Sequence, residues 1–144
     1  MKKFKHISRA SALAVAVLLS SIAALAITSI SSQIPVGPYP GTVGAGALAI
    51  TFTAADVSNG NSFPITGREI LLIWNSDSIA HTVTLTSVTD LRGRSGDITA
   101  YSVAATSYAA FNFRAGQEGW RQSDGTMHLS ASDATVKFAV LYIP

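Results

Sequence analysis

The stretch "HTVTLTSVTDLRGRSGDITAYSVAA", from His81 to Ala105, decides the fold class. Apolar and hydroxylated residues alternate in its first part, a turn rich in Gly and Arg follows, and the alternation then resumes. A period of two residues places successive side chains on opposite faces of a strand. The stretch therefore predicts two β-strands joined by a hairpin turn, with Val83 and Leu85 on the inner face.

Similar patterns recur over residues 48–144, with Gly, Asn, Asp, Ser or Pro at the turns between them. No long helical pattern follows Ile30. The sequence predicts an all-β fold, a single antiparallel β-sandwich of jelly-roll-like type with about seven or eight strands. We place strands near Leu48–Thr53, Glu69–Trp74, His81–Val88, Asp97–Val103, Tyr108–Phe113, Thr126–Ser130 and Thr135–Tyr142.

The last of these strands is apolar on both faces. A strand of this kind is central in its sheet or covered by a partner. We therefore expect it to contribute to an interface between subunits. One face carries Val136, Phe138, Val140 and Tyr142, and the other carries Ala139 and Leu141.

Residues 1–30 have a basic start and then an uncharged run from Ala10 onward, with a small-x-small cleavage pattern at Ala24-Leu25-Ala26. This outline predicts a secretory signal peptide. Two alternatives remain open, a membrane-spanning anchor and a retained hydrophobic helix that packs against partner subunits. An upstream start codon is a further alternative. Contact with a membrane is expected only if the leader is retained.

Residues 31–47 contain three prolines and four glycines, which exclude a helix interior or a central strand. The segment predicts an extended connection to the sheet domain at 48–144. It is either a linker or an arm laid across a neighbouring subunit. As an arm, its candidate contacts are Ile34, Pro35, Val36, Pro38, Tyr39 and Pro40.

Charge and cysteine content exclude several classes of function. The leader carries four of the ten basic residues, so the remainder has six basic and eight acidic side chains, a net charge of −2. Such a body lacks the basic patch that nucleic-acid binding requires. The chain has no cysteine, which excludes disulfides, thiolate catalysis and cysteine-ligated metals. Only 12% of residues are charged, which suits a surface that is covered by other subunits.

The sequence offers little that could perform catalysis. His81 and His128, the only histidines outside the leader, are interpreted as rim or cross-strand residues. No Gly-x-Ser-x-Gly, His-x-x-x-His or phosphate-binding motif occurs. We predict no catalytic residue, no metal site and no cofactor. Asp90 and Asp97 flank "LRGRSG" and are interpreted as turn caps, with a loop calcium site as the alternative.

Arg92 and Arg94 lie at the predicted hairpin tip, where local ion pairs with aspartate or contact with a partner would each account for them. Trp120 lies in a turn-rich segment. Its ring either closes the end of the sandwich or is displayed as an interface anchor. These three residues complete the set of candidate contacts.

Four successive segments of the sequence resemble capsid decoration (cement) proteins of tailed bacteriophages. They are "QIPVGPYPGTV", "FTAADVSNGNSFPITGREILLIWNS", "AHTVTLTSVTDLRGRSGDITAYSVAA" and "EGWRQSDGTMHLSASDATVKFAVLYIP". The resemblance covers residues 33–144. It implies a β-sandwich subunit that assembles as dimers or trimers on the capsid surface. There it would bridge neighbouring coat subunits and stabilise the virion, without catalytic residues.

The expected partners are the major capsid protein and further copies of this chain. The leader departs from the pattern of decoration proteins, because such proteins assemble in the cytoplasm. The alternative is a secreted or cell-surface subunit, pilus-like or matrix-forming. A carbohydrate-binding module is a weaker alternative.

Overall fold

A computed structural model describes residues 26–35, 49–113 and 117–144. These residues form an all-β fold, in which the one helical element is a 3-10 turn at Gln117–Gly119. None of their helices has the length and apolarity needed to cross a membrane. The strands are β1 (Thr28–Ser29), β2 (Ser32–Gln33), β3 (Thr53–Ala54), β4 (Asn61–Pro64), β5 (Glu69–Asn75), β6 (His81–Thr86), β7 (Ile98–Val103), β8 (Tyr108–Asn112), β9 (Thr126–Ala131) and β10 (Val136–Tyr142).

The strands form two sheets. Sheet A has the order β1-β4-β9-β6-β7, and sheet B has the order β2-β10-β5-β8, with β3 also paired to β10. Among the strands of the described residues, only β6 and β7 are both consecutive in the chain and paired with each other. From β3 onward the chain therefore passes repeatedly from one sheet to the other, and most neighbouring strands are distant in sequence.

The apolar inner faces of both sheets share one core. The alternation predicted for β6 is confirmed, because Val83 and Leu85 are buried while Thr82, Thr84 and Thr86 are more exposed. The largest fully buried apolar side chains come from both sheets and are Phe63, Phe138, Ile30, Ile65, Leu71, Ile73, Leu85 and Met127. The prediction of an all-β fold is confirmed, and the shared core gives a sandwich-like arrangement of two layers.

The sheets are mixed, and the prediction of a purely antiparallel arrangement is wrong. Strand β1 pairs in parallel with β4, and β2 pairs in parallel with β10. Residues 28–33 pair first with β4 of sheet A and then with β10 of sheet B, and they run in the same direction as each of these strands. The strand prediction also missed β4, because Gly60 and Pro64 bound it and were interpreted as turn residues.

The segment 28–33 is anchored to both sheets. The backbone N–H of Ile30 donates to the Ser62 carbonyl at 2.7 Å, and the Ile30 side chain is 1% exposed within the core. Thr28 Oγ1 donates to Asp56 Oδ2 at 2.8 Å. Among the described residues, the sheet assembly thus begins at Thr28, whereas the predicted leader ends at residue 30. The predicted helix and most of the predicted arm fall on residues 1–25 and 36–48, outside the described residues.

The turn after Asp56 brings the chain close to β9. Gly60 has a φ of 77°, and a Cβ there would lie 3.0 Å from the Leu129 carbonyl oxygen. Both facts require glycine, because a side chain would be strained and would press on backbone. Asp56 organises this turn. The pKa of Asp56 is lowered to about 2 by hydrogen bonds. The largest contributions come from the side chain and the backbone of Asn59, and Thr28 contributes a further one.

A buried polar residue at each end of β5 forms hydrogen bonds with backbone groups of the neighbouring loops. Glu69 is 2% exposed, and its Oε2 accepts the backbone N–H groups of Thr66, Gly67 and Arg68 at 2.8–3.0 Å. Asn75 is fully buried, and its Nδ2 donates to the carbonyls of Ile79, Val103 and Ala104. An unsatisfied buried backbone group would cost about 1–3 kcal/mol. These two side chains therefore make both turns at the ends of β5 compatible with burial.

We predict that Ile30→Ala lowers the free energy of unfolding by about 2–5 kcal/mol, because it leaves a cavity between the sheets. Urea unfolding measures the loss, and hydrogen exchange at the Ile30 amide shows whether the segment detaches first. Ile34→Ala is the matched control, since Ile34 is 63% exposed. Equal stability of the two variants would contradict the assigned role of Ile30.

We predict that Glu69→Gln costs about 1–3 kcal/mol at neutral pH, because an amide replaces the carboxylate that accepts three N–H groups. Although burial alone would raise the pKa of Glu69, hydrogen bonds from Thr66 and Gly67 hold it below the usual 4.5. A lowered folded-state pKa gives stability that is present above 4.5 and is lost as the pH falls through the folded value.

The stability difference between wild type and Glu69→Gln should therefore shrink below about pH 4.5. Urea unfolding across the pH range measures it, with the exposed Glu118→Gln as the control. A difference that stays constant down to low pH would show that the Glu69 charge contributes nothing to stability.

Candidate functional site

The outer face of sheet B is mainly apolar, with Lys137 and Asn112 as its polar members, although outer faces of two-layered folds are usually polar. Its outward positions follow from the inward ones by alternation and strand register. Three rows of aligned residues result. They are Lys137–Trp74–Tyr108, Ala139–Leu72–Ala110 and Leu141–Ile70–Asn112. Ile70, Leu72, Trp74 and Leu141 are half-buried, and Ala139 is fully buried.

An aromatic cluster lies at one end of this face. The rings of Trp74 and Tyr108 are stacked with centroids 5.7 Å apart, and Phe52 meets Trp74 edge-on at 5.6 Å. Lys137 Nζ lies 4.6 Å from the Trp74 ring, which is the distance of a cation–π contact. Tyr108 remains 66% exposed. The cluster therefore joins three strands and still leaves part of its apolar surface exposed.

The outer face of sheet A has the opposite character. Its outward residues on β6 and β9 are polar, and they are Thr82, Thr84, Thr86, Thr126, His128 and Ser130. Hydroxyl groups of this kind are readily hydrated and need no covering partner. The molecule thus has one hydroxylated outer face and one apolar outer face.

Two of the six predicted arm contacts lie within the described residues. Ile34 and Pro35 are exposed. They follow Gln33, whose side-chain amide exchanges two hydrogen bonds with the backbone of Thr51 at 2.7 and 2.8 Å. This anchor fixes where the exposed part begins. Val36, Pro38, Tyr39 and Pro40 lie outside the described residues.

Three of the four interface residues predicted on β10 belong to the core. Val136, Phe138 and Val140 are 0% exposed and pack between the two sheets. A fully buried side chain cannot contact another subunit, so these three residues act within the protomer. Tyr142 is half-buried, and its hydroxyl accepts a long hydrogen bond from Arg68 Nη1 at 3.4 Å. The outward residues of the same strand belong to the apolar face.

The β6–β7 hairpin tip is solvent-exposed. Arg94 forms an ion pair with Asp90 at 2.7 Å, and Asp90 Oδ1 also accepts the backbone N–H groups of Arg92 and Arg94. Asp97 caps the other side by accepting the backbone and hydroxyl of Ser87. The aspartates act as turn caps, as predicted. Both arginines are exposed.

Trp120 packs against the core with its ring edge-on to Phe113 at 5.8 Å. It also lines a shallow cleft of about 310 Å³ beside the hairpin, together with Asp90 and Arg94. The structure thus brings Arg94 and Trp120 to one cleft. Arg92 does not line it. A second cleft, of about 330 Å³, adjoins the apolar face at Ile70 and is also lined by Arg68, Asn112 and Ile143.

A ring nitrogen of each histidine in the sheet domain contacts the carboxylate of an aspartate four residues earlier. His128 Nε2 lies 3.0 Å from Asp124 Oδ2, and His81 Nε2 lies 2.9 Å from Asp77 Oδ2. His81 differs because a second carboxylate, that of Asp133, reaches the same space, and the candidate ligand atoms of Asp77, His81 and Asp133 all lie within 4.8 Å of one another. The sequence analysis missed this group, because Asp133 is distant in sequence from Asp77 and His81 and no local motif connects them.

A serine also approaches His81. Ser132 Oγ lies 3.5 Å from His81 Nδ1, and it accepts the backbone N–H of Thr82 at 3.0 Å. A separation of 3.5 Å is long for an O–H···N hydrogen bond. The hydroxyl accepts its shorter hydrogen bond from β6, and its contact with the imidazole is at the limit of hydrogen-bond distance.

Comparison with known proteins identified no matching family model, no matching curated protein and no matching solved structure.

Proposed function

We propose that this chain is a non-enzymatic structural subunit that joins other protein subunits through the outer face of sheet B. One observation carries the proposal, the contrast between that apolar face and the hydroxylated outer face of sheet A. Large exposed apolar patches on soluble proteins mark surfaces that bind other molecules. The hydroxylated face would remain in water.

The energetics of such a joint favour a repeated assembly. Each 100 Å² of apolar surface that a partner covers contributes about 2.5 kcal/mol before the costs of association. A single contact of this size is weak, but a subunit that touches several neighbours in a lattice gains from multivalency. The exposed Ile34 and Pro35 would add a second contact on a neighbouring subunit.

The strand order supports a specific form of this proposal. Strands β4-β9-β6-β7 and β3-β10-β5-β8 give two four-stranded sheets with one hairpin between consecutive strands. We therefore class β3–β10 as a jelly roll, with β1 and β2 added at the sheet edges. Jelly rolls occur in viral capsid proteins and in lectins. The fold is thus compatible with a capsid decoration protein, although fold alone does not assign function.

In its concrete form, the proposal is a decoration (cement) subunit on a virus capsid. The sequence resemblance over residues 33–144 supports this form, and so does the position of the apolar residues on one face. The partners would be the major capsid protein and further copies of this chain. The location would be the capsid surface.

We predict that Leu72→Asp weakens assembly at least about tenfold, or 1.4 kcal/mol, because it places a charge in the middle of the apolar face. Sedimentation velocity measures self-association, and co-sedimentation with coat shells that lack this chain measures attachment. Thermal melting followed by circular dichroism establishes that the variant is folded. Leu141→Ser, near the strand end, is a milder second variant.

Ser130→Asp is the matched control, since Ser130 is an outward and exposed strand residue on sheet A. It should assemble like the wild type. Wild-type affinity for the folded Leu72→Asp variant would refute the assigned face. Failure of the wild type both to self-associate and to bind shells would refute the proposed function as a whole.

A secreted or cell-surface subunit is the second candidate function, and one observation favours it. Cleavage after Ala26 would leave β1, which begins at Thr28, and the buried Ile30 in the mature chain. The predicted signal-peptide site is therefore compatible with the fold. The apolar face would serve assembly in this case too, between copies outside the cell.

We predict for this second candidate a native protein whose first residue is Ile27. Intact-mass measurement of the protein from its own source tests the prediction, and Ala26→Arg should abolish cleavage by removing the small residue. A full-length native chain would contradict export by this route. A cut beyond Ile30 would contradict it as well, because the core would lose a buried side chain.

A further inference from the structure

We propose that Asp77, His81 and Asp133 form a binding site for a divalent transition-metal ion of the Zn²⁺ type. The three residues come from three elements, namely the β5–β6 loop, the first position of β6 and the β9–β10 turn. One imidazole nitrogen and two carboxylate oxygens suit Zn²⁺, which binds such ligands in catalytic and structural sites. The site does not depend on the proposed assembly function.

The separations between the ligand atoms fit an ion after a small adjustment. His81 Nε2 and Asp77 Oδ2 are 2.9 Å apart, and no pair among the three ligand atoms exceeds 4.8 Å. Tetrahedral bonds of about 2.0–2.2 Å place ligand atoms roughly 3.4 Å apart. Side-chain rotations that move these atoms by about 1 Å would replace the hydrogen bond between His81 and Asp77 with bonds to the ion.

Hydrogen bonds hold the two aspartates in place. Asn75 Oδ1 accepts the backbone N–H of Asp77, and the Asp77 carbonyl accepts the N–H of Thr106. Thr135 donates both its N–H and its hydroxyl to Asp133 Oδ1, so it does not engage Oδ2. Supporting hydrogen bonds of this kind are typical of preorganised metal sites.

The two loops are also tied to each other. Ser76 donates its backbone N–H and its hydroxyl to the Thr135 carbonyl, at 3.2 and 2.7 Å. This contact fixes the distance between the Asp77 loop and the Asp133 turn. His81 is only 11% exposed on its side chain, so its imidazole is held between them and not displayed.

The arrangement of acidic groups favours a cation. Asp77 and Asp133 place two carboxylates around one imidazole. Within the described residues, no Lys or Arg forms an ion pair with either aspartate. A divalent ion would neutralise both carboxylates and link three elements at one end of the sandwich.

The chain contains its own control for this proposal. Asp124 accepts the N–H and hydroxyl of Thr126, as Asp133 does from Thr135. Asp124 also contacts a histidine, His128, but no third His, Asp or Glu joins that pair among the described residues. The pair therefore has the same local hydrogen bonding and one ligand fewer.

The test is isothermal titration calorimetry of the untagged full chain with ZnCl₂ after removal of metals by EDTA. We expect one ion to bind per chain, and we expect Asp133→Asn to weaken binding by roughly 100-fold or more, because loss of supporting residues alone costs 10–100-fold. Asp133→Asn can still accept the hydrogen bonds from Thr135, so the turn should remain folded. His81→Leu should abolish binding, and circular dichroism checks its fold.

Asp124→Asn and His128→Gln should bind Zn²⁺ like the wild type. His6→Gln excludes the third histidine of the chain as a ligand. Binding should also raise the melting temperature of the wild type and not that of Asp133→Asn.

Three results of the Zn²⁺ titrations would overturn the proposal. They are no binding of Zn²⁺ below millimolar concentration, equal affinity of Asp133→Asn and wild type, and loss of binding in the His128 or Asp124 variant. Ca²⁺ provides a further arm, because it prefers oxygen ligands. If Ca²⁺ bound as tightly as Zn²⁺ and His81→Leu had no effect, the imidazole would not be a ligand and the assignment would fail.

Discussion

The pairing of β5 with β10 is the constraint on which the rest of this structure depends. The two strands are in register over seven residue pairs, from Val136 with Asn75 to Tyr142 with Glu69. Their inner faces are buried except at the half-buried Tyr142, so the backbone of the adjoining turns is also removed from water. Glu69 and Asn75 satisfy that backbone from inside the fold. Without them the apolar ladder would end in unpaired polar groups, which are costly to bury.

The same ladder also creates the surface that we assign to assembly. A strand that is apolar on both faces supplies core residues inward and a second apolar layer outward. On β10, Phe138 and Val140 serve the core, while Ala139 and Leu141 face outward together with Leu72 of β5. Sheet A lacks this property because threonine, serine and histidine occupy the outward positions of β6 and β9. The two sheets therefore differ in the polarity of their outer faces because their outward residues differ in sequence.

The Asp77, His81 and Asp133 group depends on the same architecture in another way. Asn75 ends β5 and positions the Asp77 loop, and Ser76 ties that loop to the turn before β10. The ligands thus lie at the end of the central ladder and are held by its terminal hydrogen bonds. An ion bound there would reinforce the strand pairing that positions the site.

The sequence by itself determined the fold class and the positions of β5–β10, because polarity alternates along β6 and β9, β5 and β10 are short apolar runs, and turn residues separate the strands. It also determined that β10 is apolar on both faces. The tertiary structure alone decided which face is buried, and it assigned Val136, Phe138 and Val140 to the core rather than to a partner.

Strands β1, β2 and β4 escaped prediction because each is short and draws its stability from pairing partners far along the chain, as Ile30 does from the core. The approach of Asp133 to His81 has the same origin. Proximity between residues on different strands comes from long-range pairing, which local periodicity does not encode.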